Sequence, residues 1–160
     1  LWASVTGITA GVDDTHFGPD RPCTRAQVVT FLWRRAGKPT PTSSHNPFED
    51  VPPGSFYEQA VLWAYETGIT AGTDATHFSP DAICNRAQVV TFLHRFRGCP
   101  EPILTVAFSD VPDGAFFQKA VLWATQKEIT QGMGGGKFCP EQRCTRAQIV
   151  TFLYRDAKTA

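Results

Sequence analysis

The chain has no excess of either charge: 15 Lys and Arg stand against 15 Asp and Glu in 160 residues. Without surplus cations a broad surface cannot neutralise phosphates, so nucleic acid is not an expected partner. No apolar run approaches the roughly 18 residues that cross a bilayer, and membrane insertion is not expected. A starting Met and a leader-like segment are both lacking, and Leu1-Trp2-Ala3 reads as the inside of a helical pattern. The expectation is a piece fused to a larger parent protein. Zinc-type Cys-x-x-Cys spacing, helical His pairs and an EF-hand ligand pattern are missing too, which leaves no metal or other cofactor to expect. No nucleophile–base constellation stands out, so the chain reads as a binding module rather than an enzyme, with any catalytic domain elsewhere in the parent.

What is present is repetition. Phe48–Arg95 and Phe108–Arg155 align without a gap, with about half of the positions identical, and Leu1–Arg34 aligns in the same way with Leu62–Arg95. Three tandem copies follow, at 1–38, 48–98 and 108–158, the first lacking the segment equivalent to Phe48–Val61. The Pro-containing stretches Gly37–Asn46 and Gly98–Ala107 read as ordered linkers. One copy alone buries too little surface for independent stability, so the three are expected to pack together.

Each full copy has one grammar, mainly α, written as helix, loop, helix. Pro52-Pro53-Gly54 makes a turn, and Ser55 with Glu58 has the spacing of a capping box. Val61, Leu62 and Ala64 recur at helical spacing until Gly68, a left-handed stop that is Glu128 in the third copy. After a polar loop a second helix is predicted from about Asn85 to Arg97.

That second helix opens on Thr24-Arg25-Ala26-Gln27, Asn85-Arg86-Ala87-Gln88 and Thr145-Arg146-Ala147-Gln148. Thr or Asn caps the helix and Gln returns a bond to the cap. The arginine is unexplained by capping, because a cation in the first turn faces the positive end of the helix dipole. Three readings stay open. Arg25, Arg86 and Arg146 meet an internal carboxylate such as Asp50 or Asp110, they join free helix N–H groups in an anion site, or they are solvated.

The spaced landmarks Phe48-x-Asp50-Val51, Ala60-Val61-x-Trp63-Ala64, Gly68-Ile69-Thr70-x-Gly72, Phe78-x-Pro80 and the Thr-Arg-Ala start resemble the S-layer homology module over nearly the whole chain. The resemblance implies a pseudo-threefold trimer of repeats with a central helical bundle. It implies non-covalent anchoring of a secreted protein to the bacterial cell wall or S-layer. The implied ligand is a secondary cell-wall polymer, an anionic and often pyruvylated polysaccharide held in inter-repeat grooves. Arg25, Arg86 and Arg146, with Thr24 and Thr145, match the motif that lines those grooves, while Asp50, Asp110, Phe56 and Phe116 shape them. A protein–protein interaction or surface-assembly module using the same grooves is the alternative.

The sequence departs from that pattern at Gln27, Gln88 and Gln148, where the family has an acid. The change favours an anionic ligand and equally preserves the cap. Phe56 and Phe116 replace a frequent Trp, keeping a face for a sugar without the N–H. Trp2, Trp63 and Trp123 read as core, and Trp33, His94 and Tyr154 as a partly exposed aromatic-like site, with a groove edge as one reading. Cys23, Cys84 and Cys144, just before each cap, read as small buried hydrophobes.

Overall fold

The computed structural model describes residues 1–105 and 108–159. The last two positions of the second linker, Val106 and Ala107, lie outside the described residues. Among the described residues six helices follow one another: α1 Trp2–Val5, α2 Arg25–Arg35, α3 Glu58–Glu66, α4 Arg86–Phe96, α5 Gln118–Gln126 and α6 Arg146–Lys158. Among the described residues extended structure is limited to isolated bridges. The fold is mainly helical, as the periodicity predicts.

The chain forms two compact units that cut across the sequence repeats. The first contains Leu1–Gly18 and Cys23–Ile83; the second contains Pro19–Pro22 and Cys84–Ala160. In the first unit α2, from one repeat, packs on α3, from the next. Ala26, Val28, Val29 and Leu32 of α2 and Val61, Leu62 and Trp63 of α3 are buried. In the second unit α4 packs on α5 in the same manner, burying Val89, Val90 and Leu93 with Val121, Leu122 and Trp123. Each large aliphatic side chain withdrawn this way stabilises by about 1.5–3 kcal/mol. Trp63 and Trp123 are therefore core residues, as expected.

The capping boxes at α2, α4 and α6 are complete. Thr24, Asn85 and Thr145 accept the N–H of Gln27, Gln88 and Gln148, and each Gln side chain accepts the N–H of the capping residue. The expected box at Ser55 does not form. Tyr57 holds the cap position of α3 without a side-chain bond, and Glu58 accepts from Gly54 N–H at 2.8 Å. The N–H of Glu58 is taken by the Ser55 carbonyl, so the turn closes on backbone and the buried Ser55 hydroxyl is left without a partner.

Helix ends follow the left-handed rule. Gly68 has φ 74° and Gly98 φ 80°, and Glu128 adopts φ 56° at the position equivalent to Gly68. Beyond the second helix, the Trp33 indole N–H donates to the Pro39 carbonyl at 2.8 Å. His94 Nε2 stands 2.9 Å from the Pro100 carbonyl and must donate to it. Partial exposure is the expectation at this position; Trp33 meets it, His94 is buried, and both fasten the linker that follows. Tyr154 is exposed and meets Lys158 over its ring at 4.6 Å.

Candidate functional site

The three arginines at the helix starts are buried, at 5% exposure for Arg25, 2% for Arg86 and 3% for Arg146. The solvated reading is thereby excluded. Arg86 Nε donates to the Phe138 carbonyl at 2.9 Å, and its terminal N–H reaches the Thr130 hydroxyl at 3.4 Å. Its guanidinium lies 4.7 Å from the centre of the Phe138 ring and 5.4 Å from that of Phe152. Arg25 repeats the arrangement on Phe78, donating to its carbonyl at 2.8 Å with the ring at 4.9 Å.

The acids grip the same residues from the other side. Asp50 accepts the N–H of Phe78 and of Ser79, each at 2.8 Å. Asp110 accepts those of Phe138 and Cys139, also at 2.8 Å. Arg25 with Asp50, and Arg86 with Asp110, thus form a two-handed clamp. Arginine holds the carbonyl of a phenylalanine and aspartate holds its N–H. Burial opposes the charge of Asp110, but the Phe138 and Cys139 N–H bonds outweigh it and keep its carboxyl below the usual range. Burial also lowers the pKa of Arg86, while nearby Cys144, Cys139 and Asp110 oppose the shift.

The helix N–H groups are also engaged, contrary to the expectation that they are free. Arg25 and Ala26 donate to the carbonyls of Ala82 and Pro80, at 2.8 and 3.0 Å. Arg86 and Ala87 use Gln142 and Pro140, and Arg146 and Ala147 use Arg21 and Pro19, at 2.9 and 3.0 Å in both cases. With the third N–H on the capping side chain, the first turn has no donor left for an anion. Thr24 and Thr145 are committed to capping.

What remains accessible around Arg86 is a cavity of about 270 Å³ inside the second unit. One wall is the loop Thr130–Met133; the other is α6, through Gln148, Thr151 and Arg155. Two arginines line it and no carboxylate does. Arg155 went unnoticed in the sequence, although its recurrence as Arg34, Arg95 and Arg155 was visible. It donates to the Ile129 carbonyl at 3.1 Å and brings a second cation to the rim. Asp110 does not line this cavity but fixes Phe138 under Arg86. Phe116 does not line it either. Phe56 and Phe116 are 66% and 68% exposed, each edge-on to the next aromatic, Tyr57 or Phe117, at 5.0 and 5.1 Å. In the first unit a cavity of about 200 Å³ is lined by Thr9, Asp13, Asp14 and His16, the opposite electrostatic character.

Comparison with known proteins matches the S-layer homology domain at residues 2–29, 47–90 and 107–150. The chain belongs to this family. A cell surface protein of Thermoanaerobacter kivui is 30% identical over 135 residues, covering 81% of this chain and 18% of the relative. An amylopullulanase of Thermoanaerobacterium thermosulfurigenes is 27% identical over 154 residues, 92% of this chain and 8% of the relative. A cellulosome-anchoring protein of Acetivibrio thermocellus is 25% identical over 119 residues, 71% of this chain and 25% of the relative. The chain spans a quarter or less of these relatives. Membership of the S-layer homology family places it at the cell wall or S-layer, as an attachment module.

Proposed function

We propose that the chain attaches a larger secreted protein non-covalently to the bacterial cell surface by binding an anionic secondary cell-wall polysaccharide. One observation carries the choice of an anion: the cavity at Arg86 is lined by two guanidinium groups and no acid. Inside a half-enclosed space such groups give charge-assisted, directional bonds to a carboxylate, such as the ketal carboxylate of a pyruvylated sugar. Arg86 is already pinned to Phe138, so its position is fixed in advance and little ordering entropy is spent on binding. In this reading Arg25 and Arg146 serve equivalent sites. Thr24, Thr145, Asp50 and Asp110 hold their walls, while the exposed Phe56 and Phe116 offer faces to sugar rings. A pseudo-threefold trimer with a central helical bundle is the arrangement the reading adopts from the family.

Gln148 provides the test. It lines the cavity and closes the cap of α6 through its side-chain oxygen, which accepts Thr145 N–H at 3.1 Å. Glu preserves that cap, so Gln148→Glu places one negative charge beside the site without unfolding it. At a separation of roughly 6 Å and a solvent-exposed effective dielectric of about 50, the repulsion is on the order of 1 kcal/mol, or about fivefold in affinity. Retention on purified wall sacculi is measured with and without chemical depyruvylation. The proposal expects weaker retention by Gln148→Glu and weaker retention of wild type on depyruvylated wall. Equal retention in all arms overturns the anionic ligand. Binding that requires wall protein, and is lost on protein-free polysaccharide, instead selects the surface-assembly reading.

A further inference from the structure

Cys84 and Cys144 hold equivalent places in their repeats, each just before the capping residue of α4 or α6. The backbone sets them face to face. Asn85 is bridged antiparallel to Arg143. On one side of this pair Cys144 N–H donates to the Cys84 carbonyl at 3.0 Å; on the other Arg86 N–H donates to Gln142 at 2.9 Å. That register puts Cys84 directly opposite Cys144. One N–H···O bond joins the two residues directly, and opposed residues of an antiparallel pair have Cα atoms about 4.5–5.5 Å apart with side chains on one face of the ladder. A disulfide asks for Cα separations of about 4.4–6.8 Å. Both residues are fully buried, at 0% exposure, so the ladder face they share is closed to solvent.

We propose that Cys84 and Cys144 form a disulfide when the protein matures outside the cell. The cell-wall location is a compartment in which such bonds persist. The oxidant is a low-molecular-weight disulfide. One cysteine thiolate attacks it, forming a mixed disulfide and expelling one small thiol; the second thiolate then attacks the protein-bound sulfur and expels the other. Two protein thiols are oxidised, one small disulfide is reduced to two thiols, and both protons go to the leaving groups. Cys144 acts to raise the pKa of Arg86 against the effect of burial, and a neighbouring cation favours the attacking thiolate. Full burial means that exchange takes place during folding, before the face closes; the same burial later excludes reductants. Cys99 is exposed and Cys139 half-buried. The Cys139 N–H is held by Asp110.

The test is to refold the chain in oxidised and in reduced glutathione, block remaining thiols and map the peptides by mass spectrometry. The oxidised sample is expected to yield a Cys84–Cys144 linked peptide. Because the bond closes a loop of about 60 residues, its melting temperature should rise on the order of 10 °C above the reduced sample. Cys84→Val and Cys144→Val remove this redox dependence, while Cys23→Val, Cys99→Ser and Cys139→Ser keep it. Val keeps a buried apolar group at either position, and the peptide map of wild type decides the matter even where a variant folds poorly. Complete blocking of Cys84 and Cys144 in the oxidised sample, or a link from either to Cys23 or Cys139, overturns the proposal.

Discussion

Replacing Arg86 by Met keeps most of the side-chain stem and removes the guanidinium, so it isolates the clamp on Phe138. The charge-assisted bond to the Phe138 carbonyl is worth about 1.5–3 kcal/mol. The contacts with the Phe138 and Phe152 rings add roughly 1–2 kcal/mol. Against this, Met relieves the desolvation that lowers the Arg86 pKa, leaving a net loss of about 2–3 kcal/mol. For a chain of this size each kcal/mol moves the melting temperature by about 2–4 °C, so a fall of roughly 5–10 °C is expected in calorimetry. Amide exchange at Phe138 and Cys139 should accelerate as well, since their N–H groups lie on the loop whose Phe138 carbonyl Arg86 holds. Asp110→Asn leaves only one acceptor for two N–H donors. Because both side chains grip one residue, the double variant should deviate from additivity by more than about 0.5 kcal/mol. A melting temperature within about 1 °C of wild type, with unchanged exchange at Phe138, would refute the clamp. The same reasoning bears on binding assays: Arg86→Ala loosens a wall of the cavity, so loss of wall binding by that variant does not by itself identify a ligand contact. Gln148→Glu does not share that defect.

Two further predictions follow from the helix ends and the acids. Glu128→Gly should stabilise the chain by about 1 kcal/mol, because Glu128 is exposed and held at φ 56°, a conformation glycine adopts without strain. A Cβ added at the equivalent Gly68 meets nothing within 4 Å, so the cost lies in the backbone, and an unchanged or lower melting temperature would count against this account. The depressed pKa of Asp110 makes its contribution present above the unfolded value near 3.9 and lost as pH falls through the lower folded value. Urea unfolding at pH 6 and pH 3 should therefore show the gap between wild type and Asp110→Asn narrowing at the acid end; a constant gap contradicts it.

The sequence made the repeats, the helices and the capping boxes legible because each depends on side-chain identity at fixed spacing. An Asn and a Gln placed three residues apart before an apolar helix, as Asn85 and Gln88 are, announce a cap. The partner of Arg86 was not legible, because it is a peptide carbonyl and a ring 52 residues away in sequence. Every residue carries such a carbonyl, so composition gives no sign of which one is aimed at the arginine. Asp110 misled for a related reason: a carboxylate invites pairing with a cation, yet two adjacent N–H groups in a tight loop satisfy it better. Ser55 has the right spacing for a cap but sits two residues ahead of the cap position at Tyr57, where backbone already closes the bend. Trp33 and His94 looked variable in chemistry while sharing the one property that matters, a ring N–H that reaches a proline carbonyl.

The first turn of α6 rests on the carbonyls of Pro19 and Arg21, segments separated by most of the chain. Such a contact has a very high sequence separation, and closing it is slow and late in folding. As the chain emerges from its N-terminus, the acceptors for the last helix are made first and wait for their donors, whereas α2 and α4 receive theirs from residues made afterwards. The tandem copies are therefore not interchangeable beads. A chain cut to begin at Cys23 would keep all of α6 in sequence and lose the group that anchors its start.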